Sequence, residues 1–141
     1  MFCDIKNLMD DPDVKGIMAE CVFENSPEGM DRVKADYLRH GSWQLYGWVE
    51  DGVVVGICGF EEHLDWVEIL HIAVAERARG LGLGSKMIGA LAKQYKKAIE
   101  AETDDDAVDF YRKCGFEVTT IRKYDVRRWA CVLPVAGFVG E

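Results

Sequence analysis

No stretch of this chain reaches the roughly 18 consecutive apolar residues that a membrane-spanning helix needs. Its opening, Met1-Phe2-Cys3-Asp4-Ile5-Lys6, lacks the basic-then-apolar order of a secretory leader, so a cytoplasmic location with no membrane partner is expected. Basic charge is scarce: 17 Lys and Arg stand against 25 Asp and Glu, a net of −8. That balance argues against nucleic acid, whose binding needs clustered cations. It favours a cationic co-substrate such as an amine, and serves equally as ordinary solubility charge. The cysteines, Cys3, Cys21, Cys58, Cys114 and Cys131, are odd in number and widely spaced, with no C-x-x-C pair. Neither a disulfide framework nor a zinc site is expected, and no metal is assigned. No repeat, low-complexity stretch or linker interrupts the 141 residues, so one domain over 1–141 is expected.

The most informative stretch is 66–85. Val67, Ile69, Ile72 and Val74 predict a buried strand, and Arg79-Gly80-Leu81-Gly82-Leu83-Gly84-Ser85 follows as a glycine-rich turn. Leu83, Met87, Leu91 and Tyr95, each four apart, then predict a helix. Strand, glycine turn and helix N-terminus together make an anion site, because the first N–H groups of a helix have no intrahelical partner and carry the positive end of its dipole. Two common phosphate motifs fail. Ser85 stands where a P-loop needs its second glycine, and Gly80-x-Gly82-Leu83-Gly84 is one residue short of a dinucleotide fingerprint. Arg77, Arg79 and Lys86 make this turn locally basic in an acidic chain.

Elsewhere the patterning predicts six more strands and three more helices. A first strand falls around Cys3, Ile5 and Leu8. A helix starts at Asp10-Asp11-Pro12-Asp13 and carries Val14, Ile17, Met18, Cys21 and Val22. Ser26 caps a second helix with an apolar face of Met30, Val33, Tyr37 and Leu38. Residues 42–60 read as a hairpin about Asp51-Gly52. Ala98–Glu102 reads as a fifth strand, Thr103 as the cap of a helix running to Cys114-Gly115, and 116–122 and 127–133 as the last strands, with a tail from Pro134. The exposed end of the sheet near Trp129 is where a second copy could pair, so a homodimer is possible.

R-x-x-G-x-G (Arg79, Gly82, Gly84) after His71-Ile72-Ala73-Val74 resembles the coenzyme A pyrophosphate loop of the GNAT superfamily of N-acetyltransferases. Phe110-Tyr111-Arg112-Lys113-Cys114-Gly115-Phe116 matches a second signature of that family, F-Y-x-x-x-G-F, in the expected order and with one strand between. The resemblance implies a mixed α/β fold: a strongly twisted, mostly antiparallel seven-stranded sheet with a central splayed pair of parallel strands, flanked by four helices. It implies acetyl-CoA as acyl donor and a primary amine, small molecule or peptide, as acceptor, by direct attack in a ternary complex. A non-catalytic acyl-CoA-binding or regulatory domain, or a ligand-free interaction module, are the alternatives.

The resemblance also assigns roles. The backbone amides of Gly80, Leu81, Gly82, Leu83, Gly84 and Ser85 would hold the pyrophosphate, with the side chain of Arg79, named by the family motif, or of Arg77 adding charge. Main-chain N–H groups at Ile72, Ala73 and Val74, aimed by a bulge, would polarise the thioester. Tyr111 would protonate the leaving thiolate. For the general base, Glu68 matches the glutamate of the histone acetyltransferase branch, provided no bulge separates it from Ile72. His71 is a chemically natural base near neutral pH, and Glu61, Glu62 or Glu102 could act through a water. Asp104 stands where many members carry an asparagine that contacts the pantetheine arm, and an ionised Asp only accepts hydrogen bonds.

Overall fold

The computed structural model describes residues 1–135. Most of the tail expected after Pro134 lies outside them. The elements run β1 (Phe2–Asp4), α1 (Pro12–Ala19), α2 (Pro27–Arg39), β2 (Trp43–Glu50), β3 (Val53–Glu62), β4 (Trp66–Val74), α3 (Leu83–Tyr95), β5 (Ala98–Thr103), α4 (Val108–Lys113), β6 (Glu117–Lys123) and β7 (Val126–Leu133). All seven strands form one sheet in the order β1-β2-β3-β4-β5-β7-β6. Only β4 and β5 are parallel; the other neighbours are antiparallel. The fold is the mixed α/β architecture that the sequence predicts.

Two apolar layers sandwich the sheet. On one face Cys58, Phe60, Val67 and Ile69 pack with Met87, Ile88 and Leu91 of α3 and Tyr111 of α4. On the other, Leu45 and Ile57 pack with Val14, Ile17 and Met18 of α1 and Tyr37 of α2. Each such fully buried aliphatic side chain contributes about 1.5–3 kcal/mol. Among the described residues no helix is long and apolar enough to cross a membrane.

Several local expectations change. The first strand ends at Asp4; Ile5 still donates its N–H to Leu45 O at 2.9 Å, with its side chain in the α1/α2 layer, and the chain then turns through a 3₁₀ segment, Lys6–Leu8. Leu38 stays exposed, since Tyr37 takes the inward position on α2. Thr103 is not a helix cap. It ends β5 opposite Trp129, and Asp104 Oδ1 instead accepts from the N–H groups of Asp106 and Ala107, so α4 starts later, at Val108. Trp129 is not at the sheet's edge, because β7 is paired on both sides; the edge beyond it is β6.

Candidate active site

The opening in the sheet follows from two registers. β4 pairs with β5 only at Trp66–Ala98, Val67–Ile99 and Glu68–Glu100. Beyond Glu68 the strands part, while β4 stays paired to β3 through Val74. Between Ile69, opposite Phe60, and His71, opposite Gly59, the register slips, and Leu70 is the extra residue of a bulge. The slip was encoded in the apolar phase. Val67 and Ile69 are odd positions, Ile72 and Val74 even, yet all four pack on the α3/α4 face.

The bulge decides what the gap sees. In an antiparallel ladder successive N–H groups alternate sides. Ala75 donates to Val55 O at 2.8 Å, and Ala73 lies opposite Ile57, so the N–H groups of Ile72 and Val74 turn away from β3, into the gap. Ala73's N–H stays in the ladder. Of the three positions expected to offer donors, Ile72 and Val74 are the two whose N–H groups face the gap.

Below the gap lies the glycine turn. Gly80 and Gly82 hold φ of +81° and +77°, values that L side chains rarely adopt, and a Cβ at either would meet nothing within 4 Å. Gly82 is the N-cap of α3 and offers no side-chain acceptor. Among the turn and cap hydrogen bonds, none is donated by the N–H groups of Gly80 to Ser85. Gly84 has a different task. A Cβ there would sit 2.6 Å from the Phe110 ring, so this glycine lets α4 close against α3 and seats the neighbouring Tyr111.

These features line one cleft of about 1000 Å³. It contains His71, Ile72, Ala73, Val74, Arg79, Gly80, Gly82, Leu83, Gly84, Ser85 and Tyr111; Leu81 points elsewhere and is exposed. A phosphate-bearing arm fits this surface, with open space above the glycines and free amides beneath. Asp104 also lines the cleft, its Oδ1 already accepting two backbone N–H groups. Arg79 is less free than expected. Its Nε donates to Val74 O at 3.1 Å and its guanidinium pairs with Glu20, so it ties α1 to the end of β4.

The proton-handling groups separate sharply. Tyr111 is 5% exposed, and burial, with smaller contributions from nearby thiols, holds its hydroxyl above the usual phenol range. Among the described residues that hydroxyl has no protein partner and is not sealed off, so it opens on the cleft. Glu68 does not reach the cleft. Leu70's bulge puts it on the opposite face from Ile72, in the closed part of the sheet, where Oε1 lies 3.0 Å from His63 Nε2. Glu61, His63 and Glu68 form a compact cluster of their own, satisfied internally. Glu102 lines the cleft; burial raises its carboxyl, but hydrogen bonds from Arg128 and Lys123 outweigh this and lower it. Burial lowers the His71 imidazole below its ordinary value, against an opposing pull from Asp36. Burial pushes the Cys21 thiol up to about 12 and raises Cys114 as well.

Sequence reasoning missed the partner of His71. Tyr37, fully buried on α2, puts its hydroxyl 2.8 Å from His71 Nδ1. Gly59 makes the room, since a Cβ there would overlap that hydroxyl at 1.7 Å. A glycine inside a strand pattern was the available signal. Cys21 and Phe23, from the α1–α2 connection, complete the rim.

Known proteins share this fold. The ribosomal-protein-S18-alanine N-acetyltransferase of Escherichia coli superposes with TM-score 0.75 at 19% identity, covering 100% of this chain and 96% of that one. A GNAT family acetyltransferase from Elizabethkingia anophelis, solved with acetyl-CoA bound, gives 0.69 at 18%, covering 95% and 97%. The aminoglycoside 6′-N-acetyltransferase of Enterococcus faecium gives 0.71 at 13%, covering 96% and 97%. At these identities the likeness is one of fold. The family model for GNAT acetyltransferases matches residues 12–116, a span that runs from α1 through the glycine turn to Phe116, and the chain belongs to the GNAT acetyltransferase family.

Proposed function

We propose that this protein is an acetyl-CoA-dependent N-acetyltransferase that moves the acetyl group to a primary amine by direct attack in a ternary complex. The observation that carries the reading is the meeting of three features in one cleft: the uncapped N-terminus of α3, the gap-facing N–H groups of Ile72 and Val74, and the hydroxyl of Tyr111.

The amides of Gly80 to Ser85 hold the pyrophosphate. The N–H groups of Ile72 and Val74 stabilise negative charge developing on the thioester carbonyl, an effect worth about 3 kcal/mol per donor. The amine nitrogen bonds to the acetyl carbon, the C–S bond breaks, and Tyr111 gives its proton to the departing sulfur. The nitrogen's surplus proton then returns the tyrosine to its neutral form, directly or through water. Burial keeps the Tyr111 hydroxyl protonated at neutral pH, so the proton the sulfur needs is present in the cleft. The raised thiols of Cys21 and Cys114 favour direct attack over an acyl-cysteine, because neither is a thiolate at neutral pH.

Glu68 is outside the cleft, and Glu20 and Glu102 are neutralised by arginine and lysine, so none of them is offered as base. Of the two bases the sequence singled out, Glu68 and His71, His71 is the one that lines the cleft, and its chemistry turns on Tyr37. The acceptor belongs to the amine class, small molecule or peptide.

The test is acetyl-CoA with an amine panel, followed by release of free thiol. Turnover above hydrolysis is expected, and Tyr111→Phe should lower kcat about 100-fold while leaving coenzyme A affinity within about 3-fold. Binding of acetyl-CoA with no turnover on any amine would instead favour the regulatory domain.

A further inference from the structure

The acetyltransferase reading leaves open what His71 does, and the geometry around its two nitrogens answers that. Nδ1 lies 2.8 Å from the Tyr37 hydroxyl. Nε2 has no protein partner among the described residues and is not sealed, and His71 lines the cleft. Tyr37 is completely buried, and the Nδ1 contact is its hydroxyl's sole hydrogen bond among the described residues.

Two tautomers are possible, and they are not equal. If Tyr37 donates to Nδ1, both groups are satisfied and the imidazole proton sits on Nε2, facing the cleft. If Nδ1 carries the proton, it donates to the tyrosine oxygen, and the buried tyrosine O–H then points at nothing, a cost that buried polar groups rarely bear. Protonating His71 brings the same penalty, because both nitrogens are then donors. The remaining titratable neighbours do not reverse this. Asp36 of α2 favours the cation, and Cys21 and Cys58 are neutral thiols raised by burial. Across the cleft stand a neutral Tyr111 and a Glu102 already paired with Arg128 and Lys123.

We propose that Tyr37 is a positioning residue that fixes His71 as a neutral Nε2–H hydrogen-bond donor to an oxygen of the substrate complex, and that His71 is therefore not the general base. This rests on the acetyltransferase reading. It makes the reactive amine one that enters in its neutral form, with its first proton lost to solvent. The substrate oxygen is a carbonyl or carboxylate near the reacting centre. Gly59, on β3 opposite His71, belongs to the same device because it admits the hydroxyl.

The experiment has a spectroscopic and a kinetic arm. Long-range ¹H–¹⁵N spectra of the imidazole in the wild type should show the proton on Nε2. Tyr37→Phe should lose that preference. In the kinetic arm, His71→Gln keeps a donor at the cleft but cannot titrate; it should retain kcat within about 10-fold of wild type, with His71→Ala well below it. The acid limb of kcat/KM should move with the pKa of the amine supplied. A proton on Nδ1 in the wild type, or His71→Gln as inactive as His71→Ala, or a limb fixed whatever the amine, would overturn the proposal. No turnover on any amine would instead remove the enzyme reading, and the spectra of the wild type and Tyr37→Phe would still decide the tautomer.

Discussion

Helices α2 and α3 are each 13 residues long, and they begin in opposite ways. At α2 the Ser26 hydroxyl accepts from Gly29 N–H at 3.1 Å, Pro27 removes one orphan donor, and Glu28 sits in the positive first turn. At α3 there is a glycine in the left-handed region, no side-chain acceptor and no acid in the first turn. α1 follows the first pattern, with Asp11 accepting from Asp13 and Val14. α1 and α2, whose starts lie away from the cleft, are capped by their own side chains, and α3, whose start lines it, is not. There the amides donate no turn or cap hydrogen bond and the space above Gly80 and Gly82 is open, as the proposed pyrophosphate contact requires.

Exchanging the two kinds of start breaks the comparison most directly. Gly82→Asp installs at α3 the acceptor that α1 possesses. A carboxylate against the pyrophosphate, with the amides already engaged, should weaken coenzyme A binding on the order of 100-fold. Folding should stay within about 1 kcal/mol of wild type, because the new cap offsets the left-handed strain that Asp tolerates better than most residues. Calorimetric titration and thermal melting read the two effects separately.

Gly84→Ala sharpens the contrast between glycines that open on empty space, Gly80 and Gly82, and one whose missing side chain serves packing. Its methyl would press on the Phe110 ring, costing about 1–3 kcal/mol by denaturant melts. Phe110→Leu in the same chain should return part of that loss, a coupling that a double-mutant cycle measures.

Ser26→Ala is the converse of Gly82→Asp. It should cost about 1 kcal/mol of stability and leave coenzyme A affinity unchanged. The smallest effect is on pH. His71 is held neutral by burial, so its folded pKa lies below the unfolded value of 6.5. The unfolded chain then binds more protons between those two values. This contribution to stability is full above 6.5 and is lost as pH falls through the window below it. Melts between pH 5 and 8 should show a slope there that His71→Gln reduces.

Much of this was legible in the chain. The strand–glycine–helix order and Phe110-Tyr111…Gly115-Phe116 are local patterns, and local patterns survive folding. Even Leu70's bulge was written in the odd-to-even shift from Ile69 to Ile72. What was not legible depends on distant contacts. Tyr37 and His71 are 34 residues apart, and only the sheet and α2 bring them together. Arg79 matches a motif, but its partner Glu20 comes from the far end of α1. Glu68 fits a motif as well, yet strand pairing with β5 closes the sheet around it. Thr103 has a capping side chain, but the β5–β7 ladder claims it first.

The measurement that tests the central claim most directly is an amide NMR titration with coenzyme A. The account predicts the largest shifts at Gly80 to Ser85, with Ile72 and Val74 responding and the first turn of α2 silent. Equal responses at the two helix starts, or shifts confined to surfaces away from the gap between β4 and β5, would contradict it.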